Sequence, residues 1–185
     1  MRELDDVQLL EACKSGDRPA FNELVRRNQE RVYWTVRKIL NDHDEALDVS
    51  QDVFVKAYQN IHKFRGDSQV STWLYRIATN LSINELRRKK GRASVSLDDV
   101  KDYVEDVSDT TVSMLEDREL REIIEHAVET LPEKQKLVFV LRYYQELPYD
   151  EIAKILKKSV GGLKANYFHA IRKIEEYVRN ELDET

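Results

Sequence analysis

The feature that most constrains this chain is how rarely its hydrophobic periodicity is interrupted. Over 185 residues there are five glycines and three prolines, too few for the closely spaced turns of a sandwich or barrel. Apolar residues instead recur at steps of three and four, which predicts long amphipathic helices. The same scarcity removes glycine-rich phosphate loops, since neither G-x-G-x-x-G nor G-x-x-x-x-G-K-[ST] occurs. A single cysteine, Cys13, excludes an internal disulfide framework and a multi-thiolate zinc site. His43, His62, His126 and His169 are scattered without metal-ligand spacing. No catalytic residue, metal or cofactor is therefore expected. No apolar run approaches the ~18 residues of a membrane span, and the N-terminus lacks a signal pattern. A cytoplasmic protein without membrane insertion of its own is the expectation.

Four helices are predicted in the first half. A short one covers about Leu4 to Lys14. The second follows Asp17 and Pro19 and carries the stripe Phe21, Leu24, Val25, Val32, Val36, Ile39 and Leu40, broken only by Asn28. A third, capped by Asp42 or Asp44, buries Ala46, Val49, Val53, Ala57 and Ile61. The fourth begins at a Ser71 cap and buries Leu74, Ile77, Ala78 and Leu81. Residues 93–112 are rich in Ser, Asp and Thr and read as a flexible acidic linker; twenty such residues reach at most ~66 Å. Beyond it come a helix from about Ser113 to Thr130 and another after Pro132. A short helix from Tyr149 to Leu156 follows, then a turn over Lys157–Gly161 and a longer helix from about Gly162. That last arrangement is a helix-turn-helix. The fold class is thus all-α, with two small helical domains, 1–92 and 113–185, joined by the linker.

Net charge is −5, which taken alone argues against nucleic acid, but the distribution is uneven. Residues 1–92 hold 17 Lys/Arg against 14 Asp/Glu, and residues 93–112 hold one against six. Leu86 to Arg92 contains five cations and no acid, and Lys154 to Ile174 contains six and none. Two basic stretches separated by an acidic one suggest two polyanion-facing surfaces on separate bodies.

Three constellations could carry function. In the last long helix, Lys164, Asn166, Tyr167 and His169 lie near the N-terminus, where a recognition helix meets base edges, and Arg172 and Lys173 suit phosphates. Around the fourth helix, Phe64, Trp73 and Tyr75 interleave with Arg65, Arg76, Asn80 and Asn84, and the helix ends in the basic run. Aromatic faces beside cations are what unpaired DNA needs. On the third helix Asp48, Gln51, Asp52, Phe54, Val55 and Tyr58 lie opposite the buried stripe, a poor DNA surface and a good protein-docking one.

Together these segments resemble a bacterial RNA polymerase sigma factor of the extracytoplasmic-function (ECF) subfamily. "DEALDVSQDVFVKAYQNIHKFRGDSQVSTWLYRIATNLSINELRRKK" is similar to the second conserved region of that family, and "LPEKQKLVFVLRYYQELPYDEIAKILKKSVGGLKANYFHAIRKI" to its fourth. The resemblance implies that Asp48, Gln51, Asp52, Phe54 and Val55 dock on core RNA polymerase. Arg65, Asp67, Ser68, Trp73, Arg76, Asn80 and Asn84 would open and read the minus-ten element as single strand. Arg87, Arg88, Lys89 and Lys90 would hold DNA backbone, and Lys164, Asn166, Tyr167, His169, Arg172 and Lys173 would read the minus-thirty-five element as duplex. It implies promoter DNA and an anti-sigma factor as further partners, and no catalysed reaction. The recognition helix departs from the family's common T-V-K-S-R-L-x-R in having Asn166 and His169 where arginines are usual, and Pro148 stands where a Ser/Thr cap is usual. A stand-alone helix-turn-helix regulator is the alternative expectation, and a scaffold of two helical bundles a more distant one.

Overall fold

The structure, a computed structural model, describes residues 5–66, 68–89, 91 and 118–183. It divides into two compact units, the first running to Ser94 and the second from Val95. The expected linker, residues 93–112, lies outside the described residues, as does the start of the helix expected from Ser113.

Local sequence sets the ends of the helices in the first unit. Helix α1 (Asp6–Lys14) starts at Asp5, whose Oδ1 accepts from Gln8 N at 2.8 Å while Asp5 N donates to the Gln8 side chain; this reciprocal pair satisfies two otherwise open amides. Asp17 caps α2 (Arg18–Leu40) by accepting from Ala20 N, with Pro19 in the first turn where its missing N–H costs nothing. Asn41 ends α2 in the left-handed conformation at φ 58°. Asp42, not Asp44, caps α3 (His43–Asn60) through Glu45 N at 2.9 Å. A 3-10 turn over Ile61–Lys63 leads toward α4 (Val70–Lys89), which begins one residue before the expected Ser71 cap.

Helices α2, α3 and α4 pack on one another, and α1 closes against α2. The expected stripes are inside: Leu24, Val32, Val36, Val53, Ala57 and Leu74 are each at most 1% exposed. Four small polar residues, among those described, share this core; Thr79 Oγ1 has no hydrogen-bond partner, whereas the other three hydroxyls each donate to the carbonyl four residues back: Thr35 to Arg31, Ser50 to Ala46 and Ser82 to Ala78. Asn28, which breaks the α2 stripe, does the same with its amide toward Leu24 O at 2.8 Å. Cys13 is buried among the core residues, and burial pushes its thiol pKa up.

Among the described residues of the second unit, α5 (Arg118–Thr130) comes first, followed by α6 (Glu133–Phe139), which starts after Pro132. Six consecutive residues, Lys136 to Leu141, are buried, more than one stripe of an α-helix can hide. The chain widens there into a π-turn over Val140–Tyr144, which brings Tyr143 onto the Phe139 ring (5.0 Å, stacked) and Tyr144 against its edge. Helix α7 (Tyr149–Leu156) ends at Lys157 in the left-handed region, and α8 (Val160–Asp183) begins three residues later. The turn is therefore Lys157–Ser159, shorter than expected, and α8 starts two residues before Gly162. Ser159 explains the early start: its Oγ accepts from Gly162 N at 3.2 Å while its carbonyl accepts from Leu163 N. Ile152 and Leu163 fill the space between α7 and α8 at 0% and 1% exposure.

Candidate nucleic-acid interface

On the first unit, α3 turns Asp48, Gln51 and Asp52 outward, with Val55 and Tyr58 about half exposed and Phe54 partly covered. Beside them, with Gln51 on its edge, lies an open groove of about 930 Å³ between α2 and α3, walled by Phe21, Val25, Leu47, Phe54, Val55 and Tyr58. Phe21 meets Tyr58 edge to face at 5.0 Å. Acid side chains thus stand beside apolar surface, the composition of a protein-docking patch. Sequence reasoning found the α3 half; the α2 half is missing from it because Phe21 and Val25 read simply as core-stripe residues.

Helix α4 sorts the expected single-strand residues. Arg76, Asn80, Asn84, Arg87, Arg88 and Lys89 are exposed, Arg65 is exposed in the preceding loop, and Ser68 is partly covered. Asp67 and Lys90 lie outside the described residues. Of the three interleaved aromatics only Trp73 remains available. Phe64 and Tyr75 are core residues at 7% and 5% exposure, and Trp73 lies half-buried over Phe64 with ring centroids 5.0 Å apart. Burial pushes the Tyr75 hydroxyl pKa up, offset in part by a hydrogen bond from Arg31 of α2.

The basic end of α4 is less naked than its sequence. Arg88 donates to both oxygens of Glu85, at distances down to 2.6 Å, and Lys89 Nζ pairs with Glu45 of α3 at 2.6 Å. The Arg88 hydrogen bonds hold the Glu85 carboxyl below its usual range. Glu45 Oε2 has no geometrically good hydrogen bond although Lys89 is in ion-pair range; the attraction is chiefly one of charge. In both pairs the cation is the more exposed partner, Arg88 at 79% against 16% for Glu85 and Lys89 at 42% against 27% for Glu45, so a phosphate can approach either cation.

In the second unit, Lys164, Arg172 and Lys173 of α8 are exposed. Asn166 is partly covered and its Nδ2 donates to Gly162 O at 2.8 Å, so reaching a base requires breaking a bond within the helix. His169 is partly covered, edge to face with Phe168, whose other neighbour is Arg172 at 5.9 Å. Tyr167 corrects the expectation of a base contact. Its ring points inward, stacked 6.0 Å from Phe139 and edge-on to Tyr149, as part of the cluster with Ala170, Ile171 and Ile174. One helical step, a rotation of about 100°, separates it from Asn166, so the two partly covered side chains leave α8 in different directions.

Among the described residues no group of three His, Cys, Asp or Glu could hold a metal ion, and no helix is long and apolar enough to cross a membrane.

Residues 24–92 match the model of sigma-70 region 2, and residues 121–174 that of sigma-70 region 4. Over 187 residues the chain is 32% identical to RNA polymerase sigma-H factor of Pseudomonas aeruginosa, covering 97% of this chain and 96% of that one. It is 35% identical over 185 residues to ECF RNA polymerase sigma-E factor of Escherichia coli K12, covering 96% of each. Among solved structures, CnrH in complex with the cytosolic domain of CnrY superposes with TM-score 0.66 at 20% identity, over 95% of this chain and 97% of that one. The sigma factor RpoE in complex with the anti-sigma factor NepR from Bartonella quintana gives TM-score 0.64 at 21% identity, over 86% and 96%. At these identities the two structures speak for the fold alone.

Proposed function

The chain belongs to the extracytoplasmic-function group of sigma-70 RNA polymerase sigma factors, and from that premise we propose how its two units divide the work. It is an alternative sigma factor, a DNA-binding initiation factor that directs RNA polymerase to promoters. Its site of action is the cytoplasm, where polymerase works. Residues 1–92 dock on the polymerase and capture the minus-ten element; residues 93–112 tether them to residues 113–185, which read the minus-thirty-five element. An anti-sigma factor holds the chain inactive between inducing signals.

Asp48, Gln51 and Asp52, with Phe54 and Val55, dock on core polymerase, their charges setting orientation and the adjoining α2–α3 groove supplying apolar contact. Arg65, Asp67, Ser68, Trp73, Arg76, Asn80 and Asn84 open and read the non-template strand. Unstacking a base costs a few kcal/mol, and a Trp73 face with amide and guanidinium neighbours offsets that cost in the open state only. Arg87, Arg88, Lys89 and Lys90 hold phosphates. Lys164, Asn166 and His169 address duplex base edges, and Arg172 and Lys173 its backbone. Tyr167 supports that helix from beneath. Linking the two weak contacts raises the effective concentration of the second once the first is made.

The observation that supports this division is the distribution of surfaces. The acid-and-apolar docking face occurs on the first unit, whereas cation-rich helix faces occur on both. A stand-alone helix-turn-helix regulator would leave the docking face without a use. Exchanging Asp48 and Asp52 together for arginine should abolish co-purification with core polymerase and run-off transcription while helical circular dichroism is unchanged. Retained association would refute the docking assignment.

A further inference from the structure

Helix α2 carries a surface that the assignments above leave unused. Trp34 is 47% exposed on it, an unusual position for the largest apolar side chain when its helix is otherwise well packed. The ring is braced. Tyr33 meets it edge to face at 5.3 Å, and Tyr33 is itself tied down by a 2.8 Å hydrogen bond between its Oη and His43 Nδ1. Lys38 Nζ lies 5.8 Å from the Trp34 ring centroid. One turn to either side of Trp34 stand Arg31, Arg37 and Lys38, against the single carboxylate Glu30.

The patch adjoins the docking groove through Tyr33 and Glu30, which line it, and reaches toward α4 on its other side. From α2 the groove takes Phe21, Val25, Glu30 and Tyr33 among others, but not Trp34 itself. Arg31 shares the face of Trp34 at i,i+3 and hydrogen-bonds Tyr75 of α4, the neighbour of the exposed Arg76. The C-terminal ends of α2 and α4 also converge, since Arg37 and Lys89 both act on the Asp42 carboxylate at the start of α3. Helix α2 packs along α4, so Trp34 stands on a helix that neighbours the cation-and-amide face of α4.

We propose that Trp34, with Lys38, Arg37 and Arg31, forms a second single-strand site beside α4: an unpaired base stacks on the indole, and the three cations face the neighbouring phosphates. An exposed, immobilised indole beside cations is the sequence-tolerant chemistry by which single strands are held. Three cations around one ring disfavour an apolar or basic protein surface, and an acidic one is told apart by the core-association arm of the test. The proposal rests on α4 being the single-strand face, and its consequence is a longer captured strand than α4 alone holds.

The test uses holoenzyme reconstituted from core polymerase and the full chain, with a non-template-strand oligonucleotide carrying one abasic site at successive positions. With wild-type protein, one position outside those sensitive to Trp73 should weaken binding about fivefold or more. Trp34→Ala and Trp34→Leu should each make that position silent, Trp34→Tyr should restore it, and core association should be unaffected. Lys38→Ala should lower the salt slope of oligonucleotide binding by about one. The absence of any Trp34-dependent position would overturn the proposal, as would weakened core association in Trp34→Leu, which would make the patch a protein contact. If Trp73-dependent positions were also absent, the reading of α4 itself would fall.

Discussion

Trp73 is where the structure makes the sharpest demand, because its ring is partly buried, packed at a tilt on Phe64, and partly open to solvent. Truncation to alanine therefore removes two things at once. A fully buried aromatic hides ~150–250 Å², so half-burial at ~25 cal/mol/Å² stabilises the first unit by ~2–3 kcal/mol. Loss of that much lowers but need not abolish folding, given the ~5–15 kcal/mol typical of a domain. Loss of a base-stacking face costs ~1–3 kcal/mol, a factor of about 5 to 150, and only in the open complex. Trp73→Leu separates the terms, since leucine still covers Phe64 but offers no π face. Closed-complex formation in the cold should then match wild type, while permanganate reactivity of the unpaired thymines falls by that factor and Trp73→Tyr restores much of it. If Trp73→Leu opened promoters as well as wild type, the base-stacking role would be refuted, and Trp73 would be a core residue with an exposed edge.

Lys164 is exposed near the start of α8; Lys164→Ala should weaken minus-thirty-five binding and reduce its salt slope by about one, as read from filter binding across salt concentrations. Ser159→Ala should cost the second unit about 0.5–1 kcal/mol, toward the lower end of cap losses because the Oγ contact is long at 3.2 Å. The measurement is the melting of that unit followed by circular dichroism, and an unshifted transition would remove Ser159 as the cap. Hydrogen bonds from Arg26 and Arg27 hold the Glu23 carboxyl at about 2. Because its pKa is depressed on folding, the stabilisation is present above the ordinary carboxylate range and is lost as pH falls toward about 2. Glu23→Gln should flatten acid unfolding in that window, slightly, since the group is exposed; an identical acid limb in both proteins would contradict it.

The sequence by itself determined which segments are helices and, within a residue or two, where most of them end. Those properties are local: Asp5, Asp17 and Asp42 cap their own helices through amides three residues away, and spacing alone separates Val53 and Ala57 from Asp48 and Asp52. It also placed the exposed cations of α4 and α8 and the exposed amides of α4, because a residue opposite a strong apolar stripe has nowhere else to point. The tertiary structure decided what depends on neighbours distant along the chain. A helix packed on two others buries more than one stripe, so Tyr75 joins Leu74 in the core while Trp73 stays half in water. The inward turn of Tyr167 is fixed by Phe139 and Tyr149, the pairing of Lys89 by Glu45, and the docking groove by α2 and α3 lying side by side. Periodicity says that a helix has an inside; how wide that inside is depends on what packs against it.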